Sequence, residues 1–596
     1  MSILRLEGTP RRASLSSLAT PKVRFALPTE VESIVTNFIN GTNVEAYQEL
    51  LMALKSGDHP DENLGKLLHS CYSCINLLDQ RVHALVSALI GLNWNTSSEA
   101  LALMYQRFIL ELVATHSYYT KTVLENLLKK FYSSGDPWPG TRPSKEEEQS
   151  FKRVHIAIEQ VLKIVPMSSS VLVHACTVCF PFMKRGAKMN QSYIYNLFKI
   201  CEYHPEIRPQ ILSLIINKTI ALDVQLPRQA LEDMDEDEME TEENMDDTNT
   251  VFTMDDVSQS ASKVTQSISV DMQKQLAQTL DLLMEQIFSY IQEFITRGED
   301  GQQWKIFKEL LAIFEQQMLL VHGSHHVQFF MFYLCTLQLP LAELFVAALW
   351  TKVTQLGEIV TVRQSAAHYL ASLVARGRFL TVNATRCIIA QMCEWCHAYL
   401  AMHDVPSCDV KAHGVFYSVC QSLFYIIAFR HAELLRTEKG VAWMQSLGLA
   451  KLVTSRLNPL KPCLSAVAQN FAAVMRTYQI AYCYTVLERN ARMHLPTVDQ
   501  SGQQICSNLN SFFPFDPYLL PRSAPFVVGH YQEYRALEQD DDSESEEDEE
   551  EEEMAVTPKK DSLFIGSGSF GELVSPKSKS SLERFSYSST PGFKHI

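Results

Sequence analysis

Apolar residues recur along most of this chain with the three-and-four spacing of a helix buried on one face. Between Phe151 and Val165, residues Phe151, Val154, Ala157, Ile158, Val161, Leu162 and Val165 share one face, and Pro166 ends the run. A further helix is expected from about Ser192 to Tyr203. Pro205 and Pro209 then mark a break and a new start, with Ile207–Ile220 following. The period resumes with Leu280, Leu283, Met284, Ile287, Ile291 and Phe294 and continues to about Arg492. Helices of about 12–18 residues with short turns marked by Pro or Gly predict an all-α fold, helical hairpins stacked as a HEAT-repeat-like α-solenoid. No strict repeat period is visible, as is common in such arrays.

Two stretches break the helical pattern. Residues 229–268 are acidic and then rich in Ser, Thr and Gln, with too little apolar surface to offset chain entropy. After Arg535 the chain is again acidic, then Ser-rich. The layout read from this is a disordered segment over 1–28, a helical block over 29–228, an acidic disordered loop over 229–268, a second block over 269–537 and a disordered tail over 538–596. Near the end of the second block stands Phe512-Phe513-Pro514-Phe515-Asp516-Pro517-Tyr518. Its two prolines exclude a regular helix, and its aromatics need burial, so an extended clasp across the last helices is expected. The most apolar stretch, Val327–Trp350, is interrupted by Gln328, Gln338, Glu343 and Pro340. It reads as two buried helices rather than a membrane span.

Composition refines this picture. Of 596 residues 46% are hydrophobic and 20% charged, enough to bury a core, while only 22 Gly and 24 Pro argue against an all-β protein. The formal net charge of −16 is unevenly distributed: residues 229–256 and 538–553 each hold 13 acidic residues and no Lys or Arg. Without them, and without the basic segments 1–28 and 554–596, the helical body is close to neutral. Such a body gains little from displacing counterions on DNA or RNA, so protein partners rank above nucleic acid and direct DNA binding is expected to be weak or absent. The acidic runs read first as solvated, disordered segments. Two other readings stay open, a cover for a basic patch and a docking segment for a basic partner.

Candidate chemistry is sparse. Cys393-Glu394-Trp395-Cys396-His397 has the spacing of covalent haem attachment, and Cys71–Cys74 and Cys176–Cys179 share its two-residue gap. All three pairs lie in apolar helical runs, so they read as small core residues. His325 and His326 are adjacent and point to different faces of a helix, which excludes a ligand pair. Gly566-Ser567-Gly568-Ser569-Phe570-Gly571 matches the glycine-rich loop of a protein kinase, but only 25 residues follow it, too few for the rest of such a domain. No catalytic, cofactor-binding or metal-binding residue is assigned, and the chain reads as an interaction protein rather than an enzyme. The 14 cysteines and the absence of a secretory pattern at the N-terminus point to reduced thiols in the cytosol or nucleus.

Short modification motifs lie in the terminal segments. Ser543 and Ser545 sit among acidic residues, Ser14 follows Arg11-Arg12-Ala13, and Thr557, Ser575 and Thr590 each precede Pro, so protein kinases are expected partners. Lys22, Val23 and Phe25 in Lys22-Val23-Arg24-Phe25 fit the docking pattern of protein phosphatase 1. The preferred reading of that segment is a small apolar anchor folding onto the first helix.

Several longer motifs occur together and in order: Phe180-Pro181-Phe182-Met183-Lys184-Arg185, His326–Cys335, His413–Cys420, Leu457-Asn458-Pro459-Leu460-Lys461 and Phe512–Tyr518. With these, residues 20–535 resemble the RNA polymerase I-specific transcription initiation factor family. The resemblance implies a HEAT-repeat α-solenoid with an acidic loop between its halves and no enzymatic activity. It implies binding to RNA polymerase I near its stalk and to the promoter-bound selectivity factor, a nuclear and nucleolar location, and the capacity to form a homodimer. It also implies that Ser168, Ser169 and Ser170 lie at the polymerase contact, although this chain lacks the Thr-Pro step that animal relatives carry there. Arg376 and Arg378, in Val374-Ala375-Arg376-Gly377-Arg378, fall at the place of the promoter-factor contact. The competing reading is a general helical-repeat scaffold or a nuclear transport-type adaptor.

Overall fold

The computed structural model of the chain describes residues 30–56, 59–182, 185–226, 260–297, 301–403, 410–492, 509 and 513–535. Among the described residues the regular elements are all helical. The only backbone pairing of strand type there is an isolated antiparallel bridge between Gly377 and Tyr531. The chain forms two compact units, Met1–Pro181 with Tyr195–Ile211, and Phe182–Ile194 with Leu212–Ile596.

In the first unit the helices are α1 (Val31–Ile39), α2 (Val44–Ser56), α3 (Asp61–Ser73), α4 (His83–Ile90), α5 (Glu99–Thr115), α6 (Thr120–Lys129), α7 (Lys145–Ile164) and α8 (Ser168–Val178). Helices α1, α3, α5 and α7 pack side by side, as do α2, α4, α6 and α8. This two-layer stack of hairpins is the packing expected of helical repeats. Leu85, Phe108, Leu112, Leu124, Val154 and Ile158 are fully buried in its core. Helix α7 shows how sequence sets an element. Its apolar face buries Phe151, Val154, Ala157, Ile158 and Val161. Ser144 and Glu147 form a reciprocal capping box at its start. At its end Val165 is extended, as a residue before proline must be. Glu147 also accepts hydrogen bonds from Ser133 Oγ (2.5 Å) and Trp138 Nε1 (2.8 Å), tying the preceding loop to the cap.

Two helices contribute to both units: α9 (Ala187–Tyr203) and α10 (Arg208–Asp223). The second unit continues with α11 (Ser260–Arg297), α12 (Gln302–Ile313), α13 (Phe329–Leu337), α14 (Leu339–Thr354), α15 (Val360–Arg376), α16 (Val382–Met402), α17 (Gly414–Leu434), α18 (Glu438–Ser446), α19 (Leu449–Val453), α20 (Ser465–Thr477) and α21 (Tyr484–Arg492). Helix α11 starts at Ser260, inside the segment expected to be a loop to residue 268. Helix α17 is its centre, packed against α15, α16 and α20. Every residue from Gly414 to His431 is buried, consistent with a sequence that is apolar on all faces. The stretch Val327–Trp350 forms α13 and α14, with Pro340 in the first turn of α14, where its missing N–H removes no helical bond. No helix among the described residues is long and apolar enough to cross a membrane.

Cys71, Cys74, Cys176, Cys179, Cys393 and Cys396 are all buried, in keeping with a core role. Burial pushes the thiols of Cys71 and Cys393 well above the usual range. Replacing Glu147 with alanine removes the Glu147 half of the α7 capping box, leaving the Ser144 half, and takes away an acceptor of the Trp138 indole. We expect a loss of about 1–3 kcal/mol, read as a lower denaturation midpoint of the first unit.

Candidate functional site: a buried clasp and an exposed serine turn

In the second unit, the segment around Phe515, expected as a clasp across the last helices, packs against α13, α15 and α17. Phe515 is buried against Phe329 and Phe332 of α13 and Tyr369 of α15, with ring centroids 5.3, 5.4 and 5.8 Å away. Phe513 lies 4.5 Å from Tyr425 of α17. Tyr518 lies 4.9 Å from Phe329, edge-on. A segment with two prolines cannot satisfy its own backbone, so the helices do so. Gln328 Nε2 donates to the Pro514 carbonyl (2.6 Å), and the Phe515 N–H donates to Ser372 Oγ (2.9 Å). Further along, the N–H groups of Arg522 and Ser523 both donate to Asp281 of α11 (2.8 Å each).

Gln328 Nε2 also donates to the carbonyl of Ser324 (3.0 Å), a residue held in turn by Asp223, the last residue of α10. The Asp223 carboxylate is fully buried and accepts five hydrogen bonds. Four reach Oδ2, from Ser324 Oγ (2.5 Å) and the N–H groups of His325 (2.9 Å), His326 (2.9 Å) and Val327 (3.1 Å). The fifth runs from His326 Nδ1 to Oδ1 (3.0 Å); a carboxylate only accepts, so Nδ1 carries the proton. Burial pushes the Asp223 carboxyl up, but His326 and the donated hydrogen bonds outweigh it and hold it down at about 2. Four of the five motifs that carried the resemblance are thus joined in pairs. His326–Cys335 packs under Phe515, and Tyr417 of the next motif donates to the Leu457 carbonyl of the one after (2.9 Å).

Arg376 and Arg378 do not share a surface. Arg376 is 1% exposed. Its guanidinium lies over the rings of Phe429 (4.5 Å) and Tyr531 (5.2 Å), 3.8 Å from Asp516 Oδ1. Its expected role as a surface contact is corrected accordingly: a planar guanidinium can be buried between rings and a carboxylate, and here it fastens the clasp. The bridge beside it joins the Arg376 carbonyl to the Gln532 N–H (2.7 Å) and the Arg378 N–H to the His530 carbonyl (3.0 Å). Gly377 is required at this approach, since an added Cβ would lie 2.9 Å from the Leu373 carbonyl oxygen. The Arg378 side chain is exposed and lines an open cleft of about 770 Å³ with Phe429, Glu433, Tyr531 and Arg535.

The three serines open α8 in the first unit and differ sharply. Ser168 is buried, and its hydroxyl donates to the Val165 carbonyl (2.5 Å). Ser169 is half-buried, with Oγ 2.9 Å from His204 Nε2. Ser170 is exposed and bonded only within its own turn, to the Met167 carbonyl (3.1 Å). Met167, at 78% exposure, and Ile164 flank it with apolar surface. One turn thus presents a neutral hydroxyl beside apolar surface, a composition suited to a protein contact. Lys22, Val23, Phe25, Ser14, Ser543, Ser545, Thr557, Ser575 and Thr590 lie outside the described residues. Sequence reasoning missed Asp223 and Asp281; a carboxylate closing the apolar run Ile220-Ala221-Leu222 was the one available signal for the former.

Residues 23–539 match the family model for "RNA polymerase I specific transcription initiation factor RRN3". The chain is 32% identical over 502 residues to a mouse protein named RNA polymerase I-specific transcription initiation factor RRN3, covering 80% of this chain and 76% of that one. A Schizosaccharomyces pombe protein of the same description is 28% identical over 525 residues, covering 83% and 84%. Among solved structures, the crystal structure of RNA polymerase I transcription initiation factor Rrn3 aligns with a TM-score of 0.65 at 21% identity, covering 85% of this chain and 98% of that one. At that identity the likeness bears on the fold alone.

Two measurements check the clasp. Phe515→Ala should destabilise the second unit by about 3–5 kcal/mol in chemical denaturation. The stability that Asp223 supplies should be fully present above about pH 4. It should fade as pH falls from the ordinary carboxylate value of 3.8 toward about 2. The gap in denaturation midpoint between wild type and Asp223→Asn should narrow over that window.

Proposed function

The chain belongs to the RRN3 family of RNA polymerase I-specific transcription initiation factors, and we propose that it bridges polymerase I to the promoter-bound selectivity factor at ribosomal DNA. It is an initiation factor of the nucleus; the nucleolus, where ribosomal DNA is transcribed, is the proposed place of action. The observation that carries the reading is the exposed first turn of α8, with Ser170 beside Met167 and Ile164. Unmodified, such a surface can lie flat against a partner with little desolvation cost. A kinase could reach Ser170 without disturbing the fold, because the first turn of a helix tolerates and even favours an anion. The added charge, about −1.5 to −2, would then face the partner and repel or desolvate poorly. Ser168 is closed to this route by burial, and Ser169 would have to leave His204. On the second unit Arg378 is the remaining candidate for the promoter-factor side. A homodimer could hold the factor in a form that competes with polymerase for the same surface.

The test is recovery of polymerase I with the tagged protein. Ser170→Asp should reduce recovery about tenfold or more, the effect of placing one charge in a desolvated contact. Ser170→Ala should leave recovery intact. Undiminished recovery with Ser170→Asp would remove the serine turn from the contact.

A further inference from the structure

The turn Leu457-Asn458-Pro459-Leu460-Lys461 lies between α19 and α20 and is anchored on α17. Leu457, Pro459 and Leu460 are buried. Tyr417 of α17 donates to the Leu457 carbonyl (2.9 Å), and Gln421 Oε1 accepts the N–H of Leu464 (2.8 Å). Asn458 takes a left-handed conformation (φ 45°), which asparagine tolerates better than most side chains. Its amide pairs reciprocally with that of Asn490 on α21 (2.6 and 3.2 Å). Asn490 is 6% exposed, so the pair is a partly shielded joint between the turn and the end of α21.

The joint holds two basic stretches together. Residues 449–492 carry six basic side chains, Lys451, Arg456, Lys461, Arg476, Arg489 and Arg492, against one acidic residue, Glu488. In a helical body that is close to neutral, this is a concentration of positive charge. Lys461 ends the turn and Arg489 adjoins Asn490, and among the described residues neither side chain has a partner. Arg492 meets Glu488 at 3.7 Å, but both are well exposed, and such a pair is worth little in water. At the other end of α21 the Arg476 guanidinium lies 5.7 Å from the Tyr484 ring. Tyr482, just before the helix, is 89% exposed. Open tyrosine rings of this kind anchor protein contacts.

Positive charge beside exposed tyrosines could meet an acidic polypeptide or a nucleic acid. Glu488 favours the polypeptide. It lies one helical turn from both Tyr484 and Arg492, all three exposed, so a phosphate backbone following this face would have to pass a carboxylate. A polypeptide spaces its carboxylates and can set an apolar residue against the tyrosines.

We propose that this face of the second unit, centred on Lys461 and Arg489 with Tyr482 and Tyr484, docks an acidic segment of a partner protein. Carboxylates of that segment would meet the two cations, and an apolar side chain would cover the tyrosines. The contact differs in chemistry from the neutral serine turn of α8 and does not depend on it.

The test is fluorescence anisotropy with the full chain and a labelled peptide of repeated Glu-Glu-Leu. Lys461→Glu combined with Arg489→Glu should weaken binding about tenfold or more, as like charges across a contact do. Tyr482→Ala, at a side chain too exposed to matter for folding, should weaken it as well. Lys308→Glu, a charge reversal on α12, should leave binding unchanged. Added salt should weaken binding to the wild type more than to the double variant. No binding of this peptide, equal binding of a Gln-Gln-Leu counterpart, or an equal loss in Lys308→Glu would overturn the proposal. Tighter binding of duplex DNA, lost in the same double variant, would overturn it too, by assigning the surface to nucleic acid.

Discussion

A carboxylate withdrawn from water costs several kcal/mol unless hydrogen bonds and an opposing charge replace its solvent. Asp223 meets that requirement with five donors, three of them consecutive backbone N–H groups ahead of α13. Those N–H groups belong to the turn entering a helix and have no helical partner of their own. The same turn carries Gln328, which holds the Pro514 carbonyl. The end of α10, the start of α13 and the clasp are therefore one hydrogen-bonded assembly. Phe515, Tyr518 and the buried Arg376 pack around it.

This arrangement explains why so much chemistry-bearing sequence has a structural task. His326 orients a carboxylate and Arg376 fastens a strap. The cysteine pairs fill cores, with thiols that burial makes poor nucleophiles. For the proposed function, the exposed positions left as candidates for partner contact are the first turn of α8 and Arg378. A near-neutral helical body with strongly acidic segments suits recognition of protein surfaces better than of nucleic acid.

Much of the helical architecture was legible because apolar spacing and breakers are local signals. Phe151–Val165 and Pro166 mark α7 and its end, and Pro340 separates α13 from α14. The clasp was legible as a segment, since two prolines and four aromatics in seven residues leave few alternatives. Its route was not, because the partners of Phe515 lie more than a hundred residues away. Arg376 was placed at a contact by the resemblance alone, and only the fold supplies the Phe429 and Tyr531 rings and Asp516 that bury it. The serines were found as a group, but which of them faces solvent follows from the turn that opens α8 rather than from their order. Asp223 left almost no trace, since a single acid at a helix end is ordinary.

We propose that the factor meets polymerase I through the start of α8. A photo-crosslinking amino acid placed at position 170 in the full chain, with a control at the exposed Val178 at the far end of the same helix, tests it directly. Crosslinks from position 170 to polymerase I subunits, stronger than those from 178, are predicted. An intact complex with no crosslink from position 170 would contradict the account.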